Sequence, residues 1–212
     1  MNPIEAYTKG WKAIVQPPRF KYTIFDLGSP YQSFTPHPRL TIDNMPNPIT
    51  IVREDFEVKN PKNHTLQCSF YRAEGDLNQD RPCLVYLHAH GSSRLGGMEV
   101  KNHFLPKFSV CLFDFSGCGL SEGEYITLGL KERDDVQTVL KALQTKYGLR
   151  YFFLYGRSMG AVSALLYSHK FVCGGDGYIS GYDDPARGVL GIALDSPFTK
   201  AKSTVSYNMT SI

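Results

Sequence analysis

The chain has 212 residues, which suits a single domain with a sizeable core. Its 42% hydrophobic and 13% aromatic content excludes an intrinsically disordered chain. The 23 basic and 20 acidic residues are well mixed, so the formal charge of +3 points to no particular partner, neither nucleic acid nor anionic membrane.

We expect the chain to carry no targeting signal. No run of about 18 apolar residues is present, so we expect no membrane span. The N-terminal stretch MNPIEAYTKGWKAIVQPPRF carries charges and prolines where a secretory signal needs an apolar core. The cysteines are odd in number and lie mostly in apolar runs, which predicts reduced thiols and a cytoplasmic protein. They are Cys68, Cys83, Cys111, Cys118 and Cys173.

The chain divides into an N-terminal extension, residues 1–48, and a core, residues 49–212. The extension is rich in Pro, Tyr and Phe, and its pattern predicts a short amphipathic helix near Ile4 to Ile14, followed by an extended arm. The core begins with two alternating runs, ITIVREDFEVKN and LQCSFYRAE, joined by a turn. These predict an antiparallel pair of strands.

After this pair, strands alternate with helices. Four apolar runs, PCLVYLH, FSVCLFDF, RYFFLY and GVLGIALDS, have the length of strands buried on both faces. Helices are predicted near 98–107, in LKERDDVQTVLKALQTKYG and in MGAVSALLYSHK. This order predicts an α/β fold, a mostly parallel sheet with helices on both faces. An active site in such a sheet lies at the carboxyl ends of the strands.

A loop of small residues, LHAHGSSRLGG, follows the first of these buried strands. Glycines and hydroxyl residues at this place let backbone N–H groups point at an anion. A flexible loop, in which His88 and His90 satisfy buried backbone groups, explains the same residues.

The next loop, FDFSGCGLSEGE, contains Gly117, Gly119 and Gly123. Their G-x-G-x-x-x-G spacing departs from the dinucleotide-binding fingerprint, and no helix is predicted directly after the loop. A turn anchored by hydrogen bonds to Asp114 is favoured over a nucleotide site.

The third loop holds a G-x-S-x-G pentapeptide, Gly156-Arg157-Ser158-Met159-Gly160. A strand precedes it and a helix follows, which is the context that a nucleophile elbow requires. The flanking glycines leave room for a strained serine, and the helix N-terminus favours an oxyanion. A serine in an ordinary tight turn is the alternative.

Residues 49 to about 200 resemble the α/β-hydrolase family, in particular its Bem46-like and serine-aminopeptidase-like cytosolic branches. The stretches that carry the resemblance are LHAHGSS, FDFSGCGLSEG, GRSMG and ALDSPF, in that order. The resemblance implies that Ser158 is the nucleophile and that the N–H groups of Met159 and Ser92 stabilise the oxyanion. His90, Gly91, Gly156 and Gly160 would shape the site.

The sequence departs from the family's pattern at its C-terminal end. In the family an acid and a base histidine follow the seventh and eighth strands. No histidine lies beyond His169, so we expect the acid, the base and the C-terminal strands to be missing after GVLGIALDS. Asp195 is a weak candidate acid, and its alternative is a helix cap. His88 or His90 is a remote candidate base. The last predicted strand would be an exposed edge, open to self-association or a docking partner.

The sequence therefore favours a serine hydrolase that acts on an ester, thioester or amide of a small molecule or peptide. An inactive binding module is the alternative, and a nucleotide-binding domain is less favoured. The chain is expected to be a fragment of a longer product, an inactive product, or a protein completed by a partner chain. We expect no nucleic-acid partner and no cofactor. We also expect no metal, because Asp176, Asp183 and Asp184 lack the spacing of a calcium loop, and a solvated surface loop is favoured there.

Overall fold

The computed structural model describes residues 2–36, 48–76 and 78–198. These residues form seven strands and four α-helices, with several short helical turns between them. The strands are β1 (Tyr31–Phe34), β2 (Ile49–Lys59), β3 (Thr65–Ala73), β4 (Cys83–Leu87), β5 (Ser109–Phe113), β6 (Phe152–Arg157) and β7 (Val189–Asp195). The helices are α1 (Pro3–Val15), α2 (Met98–Phe104), α3 (Glu132–Tyr147) and α4 (Met159–Tyr167).

The strands form one sheet in the order β1-β2-β3-β5-β4-β6-β7. Strands β5, β4, β6 and β7 are parallel, whereas β1, β2 and β3 are joined to each other and to β5 by antiparallel pairing. The predicted mostly parallel sheet is confirmed. Its register sets Leu87 opposite Gly156 and Arg157 opposite Asp195, so β4, β6 and β7 end side by side.

Helices cover both faces of the sheet, as predicted. Strands β4 and β5 are buried along their whole length, which explains why their sequences are continuous apolar runs. On one face Leu154 and Phe113 belong to a core that includes Val136 and Leu140 of α3. On the other face Tyr86 belongs to a second core against which α2 packs.

The N-terminal residues contribute to the sheet. The predicted helix near Ile4 to Ile14 is confirmed as α1. Strand β1, which the sequence analysis did not predict, pairs antiparallel with β2 and sets Tyr31 opposite Val52. The guanidinium of Arg53 donates a 2.7 Å hydrogen bond to the carbonyl of Gly28. Residues 37–47, part of the predicted extension, lie outside the described residues.

Strand β7 is the last strand of the sheet within the described residues, and it is paired only with β6. Alternate side chains along it, Leu190, Ile192 and Leu194, are 54%, 37% and 37% exposed. A parallel strand of this composition is normally covered on both faces. Residues 199–212 lie outside the described residues, so the lack of C-terminal strands stays a prediction.

Two carboxylates of the loop that precedes β7 bond to side chains of α3. Asp184 is buried and accepts hydrogen bonds from the Gln137 amide and the Ala186 N–H, both at 3.0 Å. Asp176 forms an ion pair with Arg133 at 2.8 Å. The expected solvated loop is thus anchored at Asp184 rather than free along its whole length.

Candidate active site

Ser158 occupies a strained turn between β6 and α4. Its φ of 51° and ψ of −112° lie in a left-handed region that only glycine adopts without cost. Such a conformation costs on the order of 1–3 kcal/mol and is kept where the surrounding structure enforces it, most often at functional sites. Ser158 is partly exposed to solvent.

Two glycines permit the close packing around this turn. A Cβ atom on Gly160 would lie 1.9 Å from the carbonyl oxygen of Leu87 at the end of β4. A Cβ atom on Gly156 would lie 2.4 Å from the carbonyl oxygen of Gly160. Both glycines are therefore required by close backbone contacts, which let α4 begin directly against β4 and β6.

The N-terminus of α4 provides backbone donors beside Ser158. The first N–H groups of an α-helix have no partner within the helix, and that of Met159 is the first. The Ser158 carbonyl already accepts the N–H of Val162 at 3.1 Å. The aligned peptide dipoles place partial positive charge at this end of α4, which favours a developing oxyanion.

The loop after β4 contains the second predicted oxyanion donor, Ser92. Gly91 adopts a φ of +67° and turns the chain. The N–H of Ser92 donates a 3.1 Å hydrogen bond to the carbonyl of Ala89. For Ser92 to bind an oxyanion, its N–H must exchange Ala89 for the ligand.

His88 is held inside the protein by two hydrogen bonds. Its Nε2 accepts the N–H of Phe115 at 3.1 Å, which leaves the proton on Nδ1, and Nδ1 donates to the carbonyl of Ala89 at 2.8 Å. The ring is fully buried, and this burial lowers the pKa of His88. A buried neutral imidazole with both nitrogens occupied matches the structural interpretation rather than that of a base.

Two further histidines hydrogen-bond to groups other than the Ser158 hydroxyl. His90 donates its Nε2 proton to the carbonyl of Ile14 in α1 at 2.8 Å, and His64 lies 2.6 Å from the hydroxyl of Ser116. Throughout residues 2–36, 48–76 and 78–198, no histidine hydrogen-bonds to the Ser158 hydroxyl. His37 lies outside these ranges.

Asp195 contacts the turn at Ser158 through its backbone. Its carbonyl accepts the N–H of Ser158 at 2.7 Å. Its carboxylate lies 3.4 Å from Nε of Arg157 and accepts the hydroxyl of Ser196 at 2.8 Å. No histidine of the described residues bonds to this carboxylate, and the helix that it would cap lies outside the described residues.

A buried hydrogen-bond network joins the loops after β4 and β5. Of its members, only Asp114 was predicted from the sequence. The carboxylate of Asp114 accepts the N–H groups of Arg94 and Leu120 at 2.7 and 2.9 Å. It also accepts the hydroxyl of Tyr22 at 2.5 Å, and Tyr22 in turn accepts Nε of Arg94 at 2.6 Å. The predicted role of Asp114 as the anchor of the turn is confirmed.

This network explains one glycine of the loop after β5. A Cβ atom on Gly119 would lie 2.4 Å from Cγ of Asp114. The carboxylate of Asp114 therefore lies directly against Gly119, in space that a larger side chain or a ligand would need. The next α-helix, α3, begins only at Glu132. Both observations favour the turn over the nucleotide site.

No protein-family model matches the sequence. Among solved structures, the esterase Pf2001 of Pyrococcus furiosus superimposes on 92% of this chain with a TM-score of 0.60 and 24% identity. The chain has the α/β-hydrolase fold. It spans 63% of the length of that esterase. The structure of DcsB in complex with its substrate analogue is also similar, with a TM-score of 0.51 and 16% identity. The match covers 74% of this chain and 50% of the DcsB chain.

Among the described residues, no helix is long and apolar enough to cross a membrane. The five cysteines are free, with Cys173 exposed and the other four buried.

Proposed function

We propose that Ser158 is the nucleophile of a serine hydrolase that cleaves an ester, thioester or amide bond. The observation that supports this best is its left-handed backbone at the strand–helix junction. Ser158 Oγ would attack the carbonyl carbon while a base takes the hydroxyl proton. The same proton would leave with the alcohol, thiol or amine, and water would then release the acid from the acyl-enzyme.

The oxyanion formed in this attack would be stabilised by backbone N–H groups. Met159, at the start of α4, supplies the first donor, and Ser92 supplies the second after releasing Ala89. Loss of one such donor costs about 3 kcal/mol of transition-state stabilisation. Gly91 and His90 would set the position of the second donor by shaping its loop.

We propose that the acid and the base come from outside the described residues. His88 and His90 are both held by backbone groups, and the Asp195 carboxylate is paired with Arg157. The Bem46-like resemblance assigns the acid and base to later strands, and the similar esterase is longer than this chain. The free, mostly buried cysteines favour a cytoplasmic site of action.

Imidazole in solution can replace a missing histidine and so tests this function directly. We expect the chain to hydrolyse p-nitrophenyl acetate weakly. Adding imidazole should increase the rate by more than imidazole increases it in the absence of the protein. Ser158→Ala should abolish the protein-dependent part. Equal rates for wild type and Ser158→Ala at every imidazole concentration would contradict the proposal. Rapid hydrolysis without imidazole would show that a base within the chain, such as His37, reaches Ser158.

A second candidate role is binding through β7, with a second copy of the chain as the partner. Within residues 2–36, 48–76 and 78–198 the outer edge of β7 has no partner strand, and Leu190, Ile192 and Leu194 are exposed. A two-fold antiparallel pairing centred on Ile192 would set Leu190 opposite Leu194 of the other copy, an apolar pair at both positions. This pairing is compatible with hydrolysis at Ser158 or with an inactive interaction module.

A further inference from the structure

The loop between β4 and α2, residues 88–97, is held at two points by the loop after β5, and we call it the oxyanion loop. At its start, Nε2 of His88 accepts the N–H of Phe115 at 3.1 Å. Near its end, the backbone N–H of Arg94 donates to Oδ1 of Asp114 at 2.7 Å. The second proposed oxyanion donor lies between these two points, so its position depends on both of them.

The start of the oxyanion loop packs against the turn at Ser158. A Cβ atom on Gly160 would lie 1.9 Å from the carbonyl oxygen of Leu87 and 2.9 Å from that of His88. Because these close contacts fix the end of β4 against the start of α4, a shift further along the oxyanion loop changes the position of its N–H groups relative to Ser158.

The N-terminal part of the chain places Tyr22 between the two loops. Its hydroxyl donates to Oδ2 of Asp114 at 2.5 Å and accepts Nε of Arg94 at 2.6 Å. The same Nε and Oδ2 atoms are 3.8 Å apart. The phenol oxygen therefore bridges the guanidinium and the carboxylate, in place of the direct hydrogen bond of about 2.8 Å that such a pair normally forms.

The bridge is shielded from solvent, since Tyr22, Arg94 and Asp114 are all buried. Hydrogen bonds to charged groups are strong in such surroundings. Burial and the neighbouring Asp114 carboxylate raise the pKa of the Tyr22 phenol, so the hydroxyl keeps its proton and remains a donor. The phenol oxygen therefore sets the separation between Arg94 and Asp114.

The guanidinium of Arg94 is also held from the side of the sheet. Its Nη1 donates to Oγ of Ser69 in β3 at 3.2 Å, and Ser69 donates to Oδ1 of Asp55 in β2 at 2.6 Å. Its Cζ lies 5.7 Å from the centre of the Tyr22 ring. Arg94 follows Ser92 by two residues, so a shift of its guanidinium is passed to the backbone of the oxyanion loop within a short distance.

The segment that leads to Tyr22 is bonded to both loops. The carbonyl of Ile14 accepts the ring N–H of His90, in the oxyanion loop, at 2.8 Å. The guanidinium of Arg19 donates to three carbonyls of the loop after β5, those of Gly119, Ser121 and Gly123. These bonds fix the backbone on which Tyr22 stands, so its hydroxyl has a defined place between the loops.

We propose that Tyr22 is a positioning residue of the hydrolase reaction, because its hydroxyl sets the place of the oxyanion loop. This role rests on the proposed function of Ser158. Without the hydroxyl, Nε of Arg94 loses its acceptor, and Oδ2 of Asp114 is the charged replacement beside it. Closing that gap from 3.8 Å to about 2.8 Å shifts the loop by up to about 1 Å, a displacement that can cost about a hundredfold in rate.

The rate at which a fluorophosphonate reacts with Ser158 in the presence of imidazole measures this role in the folded 212-residue chain. Tyr22→Phe should lower the maximal rate by about tenfold or more. The fluorophosphonate concentration that gives half of this rate should stay unchanged, because oxyanion donors act on the transition state. The matched control is Tyr167→Phe, which also removes a buried hydroxyl, one that donates to Gln137 at 2.9 Å, and it should react like wild type.

Hydrogen–deuterium exchange separates positioning from a general loss of stability. In Tyr22→Phe the amides of residues 88–97 should exchange faster than in wild type, whereas those of α3 should not. Both measurements are made well below the unfolding temperatures of all variants. Should Tyr22→Phe not fold, Arg19→Gln at an exposed side chain loosens the same segment and should lower the maximal rate by about threefold or more.

Equal maximal rates at Ser158 in wild type, Tyr22→Phe and Arg19→Gln would overturn the positioning role and leave Ser158 as the nucleophile. An equal loss of rate in Tyr22→Phe and Tyr167→Phe would also overturn it, since both hydroxyls would then act through stability alone. A wild type that does not react at Ser158 even with imidazole would overturn the proposed function and, with it, the role of Tyr22.

Discussion

The N–H of Ser158 donates a 2.7 Å hydrogen bond to the carbonyl oxygen of Asp195. This bond continues the pairing of β6 with β7 by one residue, beyond the register pair Arg157 and Asp195. The backbone of the candidate nucleophile is therefore held on both sides, by β7 through this bond and by β4 through the close contact of Gly160 with Leu87. Two neighbouring strands thus enforce the strained conformation of Ser158.

Gly160→Ala should unfold or strongly destabilise the protein. The new Cβ would lie 1.9 Å from the Leu87 carbonyl oxygen, so α4 must move away from β4, at a cost of about 3 kcal/mol. Gly181→Ala is the matched control, because no atom lies within 4 Å of its added Cβ. Urea denaturation measures both free energies of unfolding, and equal values for the two variants would contradict the packing described here.

Ser158→Gly should be more stable than Ser158→Ala by about 1 kcal/mol. Glycine relieves a backbone strain of about 1–3 kcal/mol at a φ of 51°, which exceeds the entropy of about 0.4–1 kcal/mol that glycine adds to the unfolded chain. Both variants lose the hydroxyl, so the comparison isolates the backbone. If thermal or urea denaturation finds the alanine variant more stable, Ser158 is not strained.

Much of the fold could be predicted from the sequence because the parallel strands are buried on both faces. The runs PCLVYLH and FSVCLFDF coincide with β4 and β5, which are buried along their whole length. The run GVLGIALDS coincides with β7, but its expected burial on both faces is not found among the described residues, where much of β7 is exposed. Strand β1 could not be predicted, since none of its side chains is buried and its pairing with β2 joins residues that are not adjacent in sequence. No local pattern indicates such a pairing.

The strand–turn–helix around Ser158 could be predicted because its strand, glycines and helix are adjacent in sequence. The contacts of His88 and His90 could not, since their partners, Phe115 and Ile14, come from distant segments. The same holds for Arg94, which is fully buried although it stands among small residues in a loop. Long-range hydrogen bonds of this kind leave no periodic signal in the sequence.

Asp135 should make stability depend on pH. Burial raises its pKa to about 7, against hydrogen bonds from Asn60 and Ser116 that favour the charged form. Because the pKa of Asp135 in the folded protein lies above its ordinary value of 3.8, the folded protein binds more protons than the unfolded chain between pH 3.8 and about 7. The contribution of Asp135 to the free energy of unfolding is therefore fully present below pH 3.8 and is lost as the pH rises to about 7.

The variant Asp135→Asn isolates this effect, since it cannot ionise. The free energy of unfolding of the wild type, minus that of the variant, should fall as the pH rises through this window. The same difference for Asp183→Asn, at an exposed carboxylate, should stay constant. A constant difference for Asp135→Asn as well would show that this carboxyl ionises normally in the folded protein.

Ile192→Lys should prevent self-association through β7. The side chain is 37% exposed at the centre of the strand, where the two-fold pairing would bring two copies of it together, and two lysines there would repel each other. Ile179→Lys, at a residue that is 91% exposed in the preceding loop, is the matched control. Sedimentation velocity should show concentration-dependent association for wild type and Ile179→Lys only. A wild type that stays monomeric would count against this pairing.

The measurement that tests the central claim most directly is the site at which a fluorophosphonate attaches to the folded 212-residue chain. Peptide mass spectrometry after incubation with and without imidazole locates the adduct. We predict a phosphonyl group on Ser158, formed slowly alone and faster with imidazole, and none on Ser92 or Ser116. An adduct spread equally over several serines, or the absence of any adduct on Ser158 even with imidazole, would contradict the assignment of Ser158 as the nucleophile.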